Sequence, residues 1–128
     1  MPYHMSKTVR IPFAQAIDRV KEELKKEGFG VLTEIDVRET LKKKLDVDFR
    51  NYRILGACNP SFAHQALQAE DKIGVLLPCN VIVQERSDGS TEVSTVDPVV
   101  SMEKVQNASL AGVAEKVRDK LSNVLSSL

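Results

Sequence analysis

Apolar positions along this chain follow two rhythms. From Phe13 they recur at Ala16, Ile17, Val20 and Leu24, at spacings of three and four, with Lys21, Glu22, Lys25 and Lys26 between them. That stripe predicts an amphipathic helix. Pro12 opens it, where the missing N–H is harmless, and Gly28 ends it by adopting a left-handed conformation. A second, longer stripe runs through Leu110, Val113, Ala114, Val117, Leu121, Val124, Leu125 and Leu128 and predicts a terminal helix.

Between and before these stripes, short β-forming runs predict strands. They are Tyr3 to Ile11, Gly30 to Ile35, Tyr52 to Cys58, Ile73 to Arg86 with a break at Pro78, and Thr91 to Val96. Asp88-Gly89, within Ser87 to Ser90, is a strong hairpin signal joining the last two. Two short helices interrupt the series. One starts at Asp36, with Glu39 three residues on in a capping-box-like pattern, and carries Val37, Leu41 and Leu45 on a narrow edge. The other starts at Asn59-Pro60, a good cap followed by a good first helical residue, and contains Phe62, Ala63, Ala66 and Leu67. Asp97-Pro98 reads as a turn or helix start.

Without the short helices the order is β-α-β(4)-α. This predicts an α+β fold: one antiparallel sheet with both long helices on one face. Val81-Ile82-Val83 shows no polar alternation, so both faces of that strand are expected to be covered, the second by another subunit.

The 128 residues make one domain, large enough to fold without a metal or disulfide. Lys plus Arg equals Asp plus Glu at 18 each, giving no basic excess for a nucleic-acid backbone and little repulsion against self-association. Lys25-Lys26 and Lys42-Lys43-Lys44 are read as solvated helix faces. No apolar stretch approaches the roughly 18 residues of a membrane span. The start of the chain has no apolar secretory core, and with two cysteines this sets the expectation of a cytosolic protein with reduced thiols.

Candidate chemistry centres on those cysteines, Cys58 in Ala-Cys-Asn-Pro and Cys79 in Leu-Pro-Cys-Asn. Cys58 ends a strand just before a helix N-terminus, a position suited to a nucleophilic or redox thiol. Cys79 shares strand parity with Val81 and Val83, which predicts a core or interface residue. The polar neighbours Asn59 and Asn80 complete the candidate site. Asp36 and Asp97 join it only if they converge in one pocket, since capping and turn roles explain both. Cys58, His64 and Cys79, with His4 or an aspartate as a fourth, form a metal set of unspecific spacing. No phosphate-loop, dinucleotide or nucleophile-elbow motif is present.

Gly28-Phe29-Gly30-Val31-Leu32, Glu34-Ile35-Asp36, Tyr52 to Pro60, Leu76 to Val81 and Val96-Asp97-Pro98 together resemble the bacterial and archaeal family of domain of unknown function 302. The resemblance runs from about Thr8 to Leu121. It implies a TATA-binding-protein-like fold with extra helices and a tendency to dimerise. It implies no DNA binding, since function belongs to sites and not folds. The functional expectation is a small ligand-binding or interaction domain acting as a homodimer. A thiol-dependent or redox enzyme and a transition-metal protein are the alternatives.

Overall fold

In the computed structural model, which describes residues 2–128, five strands form one antiparallel sheet. They are β1 (His4–Val9), β2 (Gly30–Asp36), β3 (Tyr52–Cys58), β4 (Cys79–Glu85) and β5 (Thr91–Val96), in the spatial order β1-β5-β4-β3-β2. The helices are α1 (Phe13–Lys26), α2 (Val37–Leu45), α3 (Pro60–Ala69), the single turn α4 (Pro98–Ser101) and α5 (Ala108–Ser126).

Both long stripes pack on one face of the sheet. Ala16, Ile17, Val20 and Leu24 of α1 and Val117, Leu121, Val124 and Leu125 of α5 meet Leu55, Ala57, Val81, Val83 and Val93 in one core. Full burial of an aliphatic side chain of this size contributes about 1.5–3 kcal/mol. A second cluster joins Ala66 of α3, Ile73, Met102 and the start of α5 at Leu110 and Ala114.

Local chemistry accounts for most boundaries. Gly28 takes φ 87°, and the Phe29 N–H donates to the Leu24 carbonyl at 2.9 Å, closing α1. Asp36 caps α2, its carboxylate accepting from the Glu39 N–H at 3.0 Å. The β4–β5 hairpin turns at Gly89 with φ 84°, while Asp88 accepts from the Ser90 N–H and hydroxyl. In β2 an irregularity between Val31 and Thr33 turns Leu32 outward.

Two expectations are corrected. Ile73 to Leu77 does not extend β4: Asp71–Leu76 is a 3-10 helix. It buries only Ile73 against Met102 and α5 and leaves Val75 85% exposed. A short apolar run cannot be told from a helical segment by periodicity, and here only Ile73 is fully buried. The first strand is also shorter than Tyr3 to Ile11. It ends at Val9, and the Ile11 carbonyl turns to accept from the Thr91 hydroxyl at 2.9 Å.

Candidate functional site

The cysteines meet at one end of the sheet. Ala57 of β3 pairs with Cys79 of β4, so Cys58 and Cys79 sit on adjacent strands one place out of register. Both line a small cavity of about 30 Å³ between these strand ends, α3 and α5. That volume holds about one water-sized sphere. Phe29, Phe62, Ala66, Pro78, Val113 and Val117 contribute hydrocarbon to its wall. Met102 lines it too, while strand parity turns the Cys58 side chain to the face opposite Ala57 and Cys79. Cys79 is buried, and burial, with the Cys58 sulfur nearby, pushes its thiol up to about 11. Cys58 is half-buried, and both thiols are free.

Asn59 has a different role from the one its position before Pro60 predicts. It stands at the N-cap of α3 in extended conformation, but its side chain makes no cap bond. Its Nδ2 instead donates to the Glu27 carbonyl at 3.2 Å, tying the start of α3 to the end of α1. The left-handed turn at Gly28 brings that carbonyl within reach. A Cβ on Gly28 would lie 3.1 Å from Asn59 Nδ2, so the close approach needs a glycine.

Asn80 does not join Cys79. Strand parity turns it to the opposite face, across from Gly56, where it is exposed. Asp36 and Asp97 do not converge either. Asp36 pairs with Arg53 across β2–β3, accepts from its Nη2 at 3.4 Å, and lies at the far end of the sheet from Cys79. Asp97 is only 6% exposed and caps α4, accepting from the Val99 N–H at 3.0 Å. Both are structural caps in separate places, so the acid–base pairing fails. His64 lies on the exposed side of α3, outside the cavity. Among the described residues no three His, Cys, Asp or Glu side chains cluster to hold a metal, so the set Cys58, His64 and Cys79 is not assembled.

The sheet face away from the long helices carries a feature that a linear reading misses. Ile35, Ile54 and Ile82 are direct partners across β2, β3 and β4, forming an apolar ladder that continues to Ser94 and Ser6. Ile35 is 46% exposed, and Ile54 and Ile82 are half-buried. One end of the ladder is polar but internally satisfied. Arg50 donates to Gln84 at 3.0 Å, and Gln84 and Arg86 donate to Glu92 at 3.2 and 3.3 Å. At the other end His4, Ser6 and Ser94 form a hydrogen-bonded chain. Beside it lies a groove of about 450 Å³, floored by Asn80, Ile82 and Ser94, with Val75 and Leu76 among its lining. Only the strand pairings could have revealed this ladder, because its members are 19 and 28 residues apart in sequence.

The whole chain has recognisable relatives. Residues 5–128 match the family described as Domain of unknown function DUF302. A crystal structure of the uncharacterized conserved protein DUF302 from Bacillus stearothermophilus is similar, with 30% sequence identity and a TM-score of 0.90. The match covers 97% of this chain and 96% of that one. No curated protein matches.

Proposed function

Because the chain belongs to the DUF302 family, whose description assigns no activity, we propose a function from its geometry: a small interaction domain that acts as a homodimer, two chains packing open sheet face on open sheet face. The ladder of Ile35, Ile54 and Ile82 carries this reading. In an antiparallel sheet with one solvated face, those positions are ordinarily polar.

The size of the face and its charge support a second copy as the occupant. Five strands about 4.8 Å apart, each about six residues at roughly 3.3 Å, present roughly 500 Å² in projection. Side-chain relief and the wall at Val75 and Leu76 add to this, toward the roughly 800 Å² per partner of a stable interface. The charged groups at its end are already paired with one another, and the chain has no net charge, so two identical faces meet without repulsion. A cytosolic home suits the two free thiols, and the element order suits a TATA-binding-protein-like class.

The test is light scattering at micromolar concentration. The mass expected is that of two 14.2-kDa chains, falling to one in Ile35→Glu and Ile54→Glu with helical content retained. A wild-type monomer sinks the proposal.

A second reading is favoured by one observation, the sharing of a cavity by Cys58 and Cys79: a thiol-dependent or redox site there, with Cys58 the accessible partner. Resistance of both thiols to alkylation in the folded state would exclude it.

A further inference from the structure

We propose that the groove on the open sheet face, between the 3-10 turn at Asp71–Leu76 and strands β1, β5 and β4, is a binding site for an uncharged planar heterocycle. Its ligand carries a hydrogen-bond donor beside an acceptor on one edge, as adenine does. The chain has only two tyrosines, Tyr3 and Tyr52, far apart in sequence, and both line this groove. His4 joins them, its ring edge-on to Tyr3 with 5.0 Å between centroids. Val75 and Leu76 form an apolar wall, and Ile82 lies in the floor. At about 450 Å³ the groove has the size of a small-molecule site.

The lining selects a neutral ligand. No Asp, Glu, Lys or Arg lines the groove, so a phosphate or carboxylate finds no cation there and an ammonium no anion. What the groove offers is the carboxamide of Asn80, the hydroxyls of Tyr3 and Tyr52, and the Nε2 of His4. Among the described residues these groups have no hydrogen-bond partner, whereas His4 Nδ1 is taken by the Ser6 hydroxyl at 3.0 Å. Tyr52 pairs with Gln84, four residues along β4 from Asn80, so the two stand about 13 Å apart along the strand at roughly 3.3 Å per residue. A two-ring heterocycle spans that interval with a polar group at each end.

Asn80 sets the edge chemistry. A carboxamide donates and accepts side by side, which is how asparagine pairs with the N6 and N7 edge of adenine. Its partner on β3 is Gly56, which has no side chain to occupy it. Asparagine is depleted in strands, and the fold draws nothing from this exposed one. Planarity follows from the apolar sheet floor and the aromatic rings, on which a flat heterocycle stacks. Phe49, 6.2 Å away between centroids, and Arg50, 5.5 Å from the ring centre, hold Tyr52 in place.

Every lining group belongs to one chain, so this site goes beyond the homodimer and does not rest on it. It uses neither cysteine.

The experiment is calorimetric titration of the full chain with adenine, with purine (the same two rings without the exocyclic amine) and with adenosine monophosphate. Light scattering on the same samples reads the oligomeric state. The expected result is one adenine per chain, bound about tenfold more tightly than purine, with no gain from the phosphate. Asn80→Leu should lose that factor of about ten and bring adenine down to purine. Tyr3→Ser should weaken both ligands, by loss of stacking. Asn80 and Tyr3 are exposed, so both variants keep the fold, checked by circular dichroism. A dimer that takes up no adenine overturns this site and leaves the dimer standing, whereas a monomer that binds adenine does the reverse. The site is equally overturned if purine binds as tightly as adenine, if Asn80→Leu binds adenine like the wild type, or if the monophosphate binds more tightly than the base.

Discussion

Replacing Asn59 with aspartate separates two roles that look alike in the sequence. If Asn59 were an ordinary N-cap for α3, aspartate would serve as well, since the two residues rank together at that position, and alanine would cost about 1 kcal/mol. The structure assigns the Asn59 amide to the Glu27 carbonyl instead, at 3.2 Å. Aspartate cannot donate there. It loses a hydrogen bond worth about 0.5–1.5 kcal/mol and sets a carboxylate oxygen against a carbonyl oxygen. The combined loss should be about 1–3 kcal/mol, larger than for alanine, which brings no repulsion. For a chain of this length each kcal/mol lowers the melting temperature by about 4 °C, so Asn59→Asp should melt about 4–12 °C below the wild type. The pH dependence has a definite sign. Protonating the new carboxyl supplies a donor to the carbonyl, so the deficit narrows as pH falls through the carboxyl range. Urea or thermal unfolding of wild type, Asn59→Asp and Asn59→Ala at neutral and acid pH reads this directly. Equal stability of Asn59→Asp and wild type at neutral pH would refute the bridge and restore the cap.

Four further outcomes follow from other contacts. A Cβ on Gly56 would sit 2.1 Å from Thr33 Oγ1 and 2.8 Å from Pro78 Cγ, so Gly56→Ala should lose about 2–3 kcal/mol in denaturant unfolding, with Thr33→Ala restoring only part. The raised Cys79 thiol holds its proton more tightly folded than unfolded; that stability is intact below about pH 9 and lost as pH rises through 9 to about 11, about 2–3 kcal/mol in all, which Cys79→Ala should remove from the pH profile. The same burial should leave one thiol per chain, Cys58, reacting with a thiol reagent at pH 8 before Cys79, as mass spectrometry of labelled peptides would show. Asp97→Asn should keep the α4 cap and unfold within about 0.5 kcal/mol of wild type, while Asp97→Ala should lose about 1–2 kcal/mol; a large loss in Asp97→Asn would mean that its charge matters.

The physics of each feature decides whether it was legible in the sequence. The α1 and α5 stripes, the cap at Asp36 and the turn at Asp88-Gly89 were readable because each depends on residues within about four positions of one another. The partner of Asn59 was not, because the Glu27 carbonyl is 32 residues away. Ile73 to Leu77 misled because a short apolar run fits a strand or a helical turn equally, and Met102 and α5 decide between them. Met102 as a cavity residue had no signal, since a lone methionine before a polar stretch carries no pattern. The placing of Cys58 and Cys79 on adjacent strands one residue out of register needed the β3–β4 pairing, since a one-residue slip would have made them direct partners.

The absence of alternation in Val81-Ile82-Val83 has a specific cause in the sheet. β4 is its central strand, between β5 and β3, so Val81 and Val83 must enter the helix-side core, and both are fully buried. Ile82 points the other way and is half-buried beside the groove that Val75 and Leu76 help to line. The core therefore explains two of the three residues. The third belongs with Ile54 and Ile35, its partners on the same face. Threonine at any of these three positions would keep the β-branched fit to the strand and give up only half-buried apolar surface, so the folded chain itself requires little of isoleucine there. The contrast with Leu55, one place along β3 and fully buried, marks the difference: its truncation to alanine should cost about 2–5 kcal/mol. An apolar ladder that the chain's own stability does not need is the strongest reason to seek its partner on a second copy, and the sequence carries its trace where alternation fails, at Val81-Ile82-Val83 of β4 and Ile54-Leu55 of β3.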